Sequence, residues 1–284
     1  MSRSWKRRLR ARVLPVPTMS PRRFLAAWVH DVTHPRRADD LLPPTRFMFD
    51  GSQNEADFRR DGAEFLGYFV ELGGLRPSHR VFEIGSAIGR KAIPLTRHLD
   101  ASGSYDGFDI VGLGVDWCRR NITPRFPNFR FQQADVYNSL YNETGRFRAA
   151  EYRFPFSDAA FDFAFATSVF THMLPDELAN YVGELARVLA PGGRCLASML
   201  LLNDEAERCI DAGKGALTLR HPIGVCRTEN AAIPEAAVGY PEPFVRELFA
   251  AKGLALVEPI HFGSWCGRER GMSFQDIVIA ERRR

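Results

Sequence analysis

The chain alternates between short apolar runs and longer stretches whose apolar residues recur at helical spacing. The apolar runs predict buried strands at residues 80–84, 105–110, 129–134, 161–167, 194–202, 254–261 and 273–280. The helical spacing predicts helices at about 54–72, 89–99, 115–121, 175–189 and 242–252. Strands that alternate with helices require crossover connections, so most of the sheet is expected to be parallel.

The last two predicted strands depart from this alternation. Only residues 263–271 separate them, which leaves no room for a crossover helix, so the two strands should pair antiparallel. The sequence therefore predicts an α/β fold with a mostly parallel seven-stranded sheet, a C-terminal antiparallel hairpin and helices on both faces. Such a hairpin distinguishes the chain from an ordinary dinucleotide-binding fold.

Positive charge is concentrated at the N-terminus. Residues 1–37 hold ten Lys and Arg residues against one acid, Asp31, although the net charge of the whole chain is only +4. We predict that residues 1–45 are a basic, partly disordered extension and that residues 46–284 form one domain. A solvated extension is the simpler interpretation. Its apolar residues, Trp28 among them, also leave open a weak contact with a membrane surface.

The remaining composition narrows the classes of protein. The five cysteines form no CxxC pair and no HExxH pattern occurs, so we predict no metal site and reduced thiols in a cytoplasmic protein. No apolar run reaches the ~18 residues of a membrane-spanning helix. Because the chain beyond residue 37 is net acidic, nucleic acid is not expected as a partner.

A small-residue turn after the first strand carries the clearest chemical signal. The strand ends with Glu83, and Gly85, Ser86 and Gly89 lead into the next helix. Small residues let a ligand approach the backbone, and a helix N-terminus offers free N–H groups. A carboxylate at this point would repel a pyrophosphate, but it suits a ligand with an ammonium or sulfonium charge.

Two more acids follow the next two strands. Asp109 lies 24 residues after Gly85, where a carboxylate can accept hydrogen bonds from both hydroxyls of a ribose. Asp135 follows the third strand and could accept from an adenine amino group, with Ile110 and Val136 packing on the ring faces. Ligands of open α/β sheets bind at the carboxyl ends of strands, so three successive acids there predict one shared site.

In the order of these motifs, residues 80–202 resemble class I S-adenosylmethionine-dependent methyltransferases, and the hairpin also fits their Rossmann-like fold. The matching pieces are residues 83–85, 89, 109, 135, 161–163 and 189–193. The resemblance implies S-adenosylmethionine as cofactor and S-adenosylhomocysteine as product. It also implies that the glycine loop holds the methionine part, Asp109 the ribose and Asp135 the adenine, with Thr167 in a loop beside the cofactor.

The acceptor side is less defined by sequence. Transfer to a hydroxyl needs a general base, and His172 in the loop after the fourth strand is the candidate, although it could instead pack under the next helix. Insertions at residues 137–156 and 203–240 carry aromatic residues and arginines. They are expected either to shape a site for a small-molecule or glycan-like acceptor, with O-methylation favoured, or to be solvated lids.

Two alternatives stay open. Ala87 stands where the family has a second glycine, which leaves a catalytically inactive binding protein as one alternative. A nicotinamide-dependent oxidoreductase is the other, and Glu83, Asp135 and the C-terminal hairpin disfavour it. The sequence makes no prediction of an oligomeric state.

Overall fold

A computed structural model describes residues 20–34 and 40–283. Its helices are α1 (Pro21–Thr33), α2 (Glu55–Glu71), α3 (Ala92–His98), α4 (Gly112–Asn121), α5 (Pro175–Val188), α6 (Asp204–Asp211) and α7 (Glu242–Ala251). Its strands are β1 (Arg80–Ile84), β2 (Ser104–Asp109), β3 (Phe129–Gln133), β4 (Phe161–Ala166), β5 (Leu189–Met199), β6 (Leu201–Leu202), β7 (His221–Ile223), β8 (Cys226–Thr228), β9 (Val238–Pro241), β10 (Leu254–His261) and β11 (Asp276–Arg282). Within these described ranges, no helix is long and apolar enough to cross a membrane.

The main sheet has seven strands in the order β10-β11-β5-β4-β1-β2-β3. Neighbouring strands in the part β5-β4-β1-β2-β3 pair parallel, whereas β11 pairs antiparallel with both β5 and β10. This arrangement confirms the predicted Rossmann-like fold with its C-terminal antiparallel hairpin.

Alternate residues of the central strands form a core on each face of the sheet. Phe82 and Ile84 of β1 pack in the core that α5 and α7 cover. Val81 of the same strand packs in the core beneath α2, α3 and α4. A strand buried on both faces needs apolar residues at nearly every position, which is why β1 is apolar apart from the exposed Arg80 at its start and the buried Glu83.

Several predicted boundaries were wrong. The predicted strand at 194–202 is two strands: β5 begins at Leu189, ends at Met199, and the chain then enters a second sheet through β6. An irregularity in the pairing with β4 lies around the Pro191–Gly193 turn, which was predicted to precede the strand. The helix predicted at 89–99 begins only at Ala92. Gly89 has a positive φ, which is not a helical conformation, so this residue still belongs to the loop.

The insertion at 203–240 has a structure that the sequence did not predict. It forms α6 and the strands β7, β8 and β9, which join β6 in a four-stranded sheet of order β6-β9-β8-β7. Its strands are only three or four residues long, so they show no alternation that could reveal them. A small apolar core that includes Leu202, Ile210 and Trp265 lies beneath them.

One buried carboxylate joins the two sheets. Asp276, at the start of β11, accepts hydrogen bonds from the backbone N–H of Leu201 and of Gly263, both at 2.7 Å. It also accepts from Trp265 Nε1 at 2.8 Å and from Arg268 Nη1 at 3.1 Å. A fully buried charge is tolerated where it is paired and hydrogen-bonded in this way, so the network holds β6 against the main sheet.

We predict that Asp276→Ala lowers the free energy of unfolding by about 3–5 kcal/mol, because it removes the buried anion beside Arg268 and takes the acceptor from two backbone N–H groups and the Trp265 indole N–H. Chemical denaturation followed by circular dichroism measures this loss. The matched control is Asp116→Ala, which removes an exposed carboxylate from α4 and should cost less than about 1 kcal/mol. Equal losses in the two variants would contradict the assigned role of Asp276.

Candidate active site

A cavity of about 450 Å³ opens at the carboxyl ends of the central strands. Glu83 of β1, Asp109 of β2 and Thr167, directly after β4, all line it. The volume lies within the range of small-molecule sites, roughly 300–1,000 Å³. Parallel strands thus bring together residues that are far apart in sequence.

The glycine loop forms one wall of this cavity with very little spare room. Gly85 has φ +81°, and a Cβ there would lie 2.5 Å from Cγ2 of Val169. Ala87 also takes a left-handed conformation, with φ +44°. A Cβ on Gly114 would come within 2.1 Å of the Ala87 carbonyl oxygen, so only glycine lets α4 pack this closely against the loop.

Asp109 ties the loop to the end of β2. Its Oδ2 accepts from the backbone N–H of Ala87 at 2.7 Å, and its Oδ1 accepts from the N–H of Val111 at 2.7 Å. Each carboxylate oxygen therefore keeps acceptor capacity for a ligand hydroxyl. Burial raises the pKa of the Asp109 carboxyl to about 6, and the backbone hydrogen bonds oppose that rise.

A second group of charges lies beside the loop. The hydroxyl of Tyr105 donates a short hydrogen bond to Glu83 Oε2, and burial raises the pKa of the Glu83 carboxyl. Burial has the opposite effect on Lys91, whose ammonium also lines the cavity and whose pKa is lowered. Arg90 completes the group and forms ion pairs of 3.1 Å with Asp50 and with Asp61.

An orphaned polar atom indicates that this wall is built for a ligand. Ser86 Oγ is buried and lines the cavity, yet it has no hydrogen-bond partner within the described residues. Buried hydroxyls without a partner are rare in folded proteins. Together with the spare acceptor capacity of Asp109, the hydroxyl fits a polar cofactor such as the one that the sequence implied.

Most, but not all, of the sequence-predicted site residues line the cavity. Those that line it are Glu83, Gly85, Ser86, Asp109, Ile110, Val136, Thr167 and His172. Gly89 does not line the cavity but packs against α4. A Cβ on Gly89 would lie 3.1 Å from Cys118 of that helix and 2.9 Å from Ile122, which directly follows it. Asp135 does not line the cavity either: its side chain is 38% exposed and its carboxylate accepts a short hydrogen bond from Arg146. That bond holds the pKa of Asp135 below its usual value.

His172, another residue of the cavity lining, has a fixed tautomer. Its Nδ1 lies 2.7 Å from the backbone carbonyl oxygen of Glu235. Because a carbonyl oxygen only accepts, Nδ1 carries the proton, and Nε2 of the neutral ring keeps a free lone pair. Burial lowers the pKa of His172, so the neutral ring predominates near neutral pH.

The two insertions meet beside this histidine. Asn138 and Tyr141 of the first insertion line the cavity, and the Ser139 hydroxyl donates to Glu235 Oε2 of the second at 3.0 Å. None of the six arginines of the insertions is in the cavity lining, and four of them form ion pairs elsewhere. These pairs are Arg146–Asp135, Arg148–Glu151, Arg153–Asp158 and Arg227–Glu207.

Some lining residues were missed by the sequence analysis. Arg90 directly follows Gly89 and could have been included from the glycine loop. Ser168 has φ +56°, and its N–H donates to Ser198 Oγ at 2.7 Å. This contact joins segments that are far apart in sequence, so no local pattern reveals it. Arg23 of α1 also lines the cavity and donates to the carbonyl oxygen of Ser52 at 2.5 Å, although it lies in the predicted extension.

Comparison with known proteins agrees with this geometry. A family model described as a methyltransferase domain matches residues 81–193. A probable cobalt-precorrin-6B C(15)-methyltransferase (decarboxylating) of Thermoplasma acidophilum is 34% identical over 65 residues, which is 22% of this chain. The match spans about a third, 32%, of that relative.

Solved structures share the fold at low identity. The 1,6-didemethyltoxoflavin-N1-methyltransferase of Burkholderia thailandensis, with bound S-adenosylhomocysteine, aligns with a TM-score of 0.51 at 17% identity, over 95% of this chain and 93% of its own. The magnesium protoporphyrin IX methyltransferase of Synechocystis PCC 6803, also with bound S-adenosylhomocysteine, aligns at 0.51 and 16%, over 84% and 91%. The PH0226 protein of Pyrococcus horikoshii OT3 aligns at 0.56 and 14%, over 84% and 96%. Residues 81–193 thus match a methyltransferase domain, and the chain shares the fold of these solved methyltransferases.

Proposed function

We propose that this protein transfers a methyl group from S-adenosylmethionine to a hydroxyl of a small-molecule or glycan-like acceptor. The observation that carries the proposal is one cavity lined both by Asp109, at the glycine loop, and by His172, whose Nδ1 is bonded to the Glu235 carbonyl. When bound, the cofactor supplies a methyl group that its positively charged sulfur makes electrophilic. In such a transfer the acceptor oxygen would bond to the methyl carbon as the carbon–sulfur bond breaks, which would leave S-adenosylhomocysteine as a neutral thioether and the hydroxyl proton for a base in the site.

The cofactor side uses the buried acids. Asp109 accepts from the ribose hydroxyls with the lone pairs that Ala87 and Val111 leave free. Glu83 faces the methionine part, where a carboxylate favours the ammonium group, and Ser86 supplies a hydroxyl without another partner. Asp135 is paired with Arg146 and stands outside the lining, so we assign the adenine contacts to Ile110 and Val136.

On the acceptor side, His172 is the group that takes up the hydroxyl proton. Nε2 of His172 accepts the hydroxyl proton as the oxygen attacks, while Nδ1–H stays bonded to the carbonyl of Glu235. Tyr141 and Tyr181 line the same region. Because no arginine of the insertions lines the cavity, the region suits an uncharged, hydroxylated acceptor better than an anionic one.

We predict that Asp109→Ala weakens the binding of S-adenosylhomocysteine by about 100-fold or more. Two hydrogen bonds to a charged acceptor are lost, each of about 1.5–3 kcal/mol, and 1.4 kcal/mol is a factor of ten. Isothermal titration calorimetry measures the affinity, and circular dichroism checks the fold. Asp116→Ala is the matched control and should bind like the original chain. Undiminished binding by Asp109→Ala would refute the assigned cofactor site.

We predict that the affinity for 5′-methylthioadenosine falls about tenfold between pH 7.5 and pH 5. This ligand has the ribose but no amino acid part, so its binding reports Asp109 and not Glu83. The ionised carboxylate accepts from the hydroxyls, and the pKa of Asp109 is about 6, so protons compete with the ligand below that pH. Calorimetric titration at several pH values measures the change, and an affinity independent of pH would contradict it.

We predict that His172→Asn lowers methyl transfer by at least about 100-fold, because an asparagine can still donate to the Glu235 carbonyl but cannot accept the proton. Transfer of radiolabelled methyl from S-adenosylmethionine to a panel of phenols and sugars measures the activity. The affinity for S-adenosylhomocysteine should change less than about threefold.

His221→Asn, an exposed histidine on β7, is the control and should keep full activity. Full transfer by His172→Asn would remove His172 as the base. Binding of the cofactor without transfer to any acceptor in the panel or in a metabolite extract would favour a binding protein over an enzyme.

A further inference from the structure

Helix α1 is attached to the domain along one face only. Ala27 is buried, and Asp31 accepts from the backbone N–H of Thr45 at 2.7 Å and pairs with Arg46 at 2.8 Å. One turn from the helix start, Arg23 donates to the carbonyl oxygen of Ser52 and lines the cavity. These contacts fix which face of α1 points away from the domain.

The opposite face is an apolar stripe. We define the stripe as Leu25, Trp28, Val29 and Val32, whose exposed fractions are 61, 47, 46 and 59%. Their spacing of three, four and seven residues places them along one side of the helix. They are four of the ten exposed large hydrophobic residues in the described part of the chain, and the other six are dispersed over distant elements.

We propose that the stripe docks α1 on the surface of an anionic lipid bilayer. Charge complementarity selects this partner. Residues 1–37 carry ten Lys and Arg residues, and their one acid, Asp31, is engaged with Arg46 on the inner face. Leucine, valine and tryptophan on one face of a helix, with cationic residues around it, are the chemistry of helices that lie in a membrane interface.

The position of α1 gives this contact a consequence. Arg23 lines the cavity, and Leu25 begins the stripe two residues later. A bilayer bound at the stripe therefore contacts the same helix that contributes Arg23 to the cavity lining, on its outward face. Electrostatic attraction adds to apolar burial at such a surface and decreases with added salt.

The experiment is sedimentation of the full chain with vesicles of phosphatidylcholine and phosphatidylglycerol at 7:3, compared with phosphatidylcholine alone. We expect binding to the anionic vesicles, weakened by salt and much lower on the neutral vesicles. Leu25→Ser/Val29→Ser should reduce the affinity for anionic vesicles about tenfold or more, because two apolar side chains no longer enter the interface.

Val70→Ser/Val225→Ser is the matched control, since it removes two exposed valines far from α1 and should bind vesicles unchanged. The affinity for S-adenosylhomocysteine should be the same in all variants, so the outcome is independent of the proposed function. Equal vesicle binding by the stripe variant and the original chain would overturn the proposal. It would also be overturned by a dimer in light scattering that the stripe variant converts to a monomer, because a second copy would then cover the stripe.

Discussion

The carboxylate of Asp109 accepts one backbone N–H from the glycine loop and one from the turn after β2, and the shape of the cavity depends on these two bonds. They join the first two βα units of the sheet at the edge where ligands of open α/β folds bind. A single buried carboxylate thus accepts one backbone N–H from each of two loops and still keeps lone pairs for a ligand. Its raised pKa is the cost of placing that charge in a dry cavity.

Two strained residues face each other across this cavity. Ala87 and Ser168 both take positive φ values, a conformation that costs most residues roughly 1–3 kcal/mol. Each is held by a specific acceptor: Asp109 binds the N–H of Ala87, and Ser198 binds the N–H of Ser168. Ala87 replaces a glycine of the family pattern, and it keeps the left-handed conformation that a glycine would adopt. The methyl group therefore leaves the loop shape unchanged, which weakens the case for an inactive member of the family.

The sequence predicted what local pattern and chain order determine. The strand, the small-residue turn and the acid after the next strand are separated by short stretches, so their place at one sheet edge follows from the parallel fold alone. Asp135 satisfies the same pattern, but Arg146 on the neighbouring insertion takes its carboxylate, and no local signal shows that competition. Arg23 and Ser168 depend on contacts between distant segments for the same reason. The small sheet of the second insertion escaped prediction because its strands are too short to alternate.

The proposed base and the proposed acceptor site depend on the same two insertions. The tautomer of His172 depends on a backbone carbonyl of Glu235, and the side chain of that residue accepts from Ser139 on the other insertion. A substitution at residue 235 keeps this carbonyl as an acceptor if the backbone conformation there is preserved. A change in the length of the insertion would instead move the carbonyl. Loops are the segments whose sequence and length vary most readily in such folds. A changed insertion would therefore alter the proposed acceptor site and the orientation of His172 together. In the proposed mechanism, acceptor choice and proton transfer are therefore coupled, and insertion changes that admit a new acceptor must also preserve the Glu235 carbonyl.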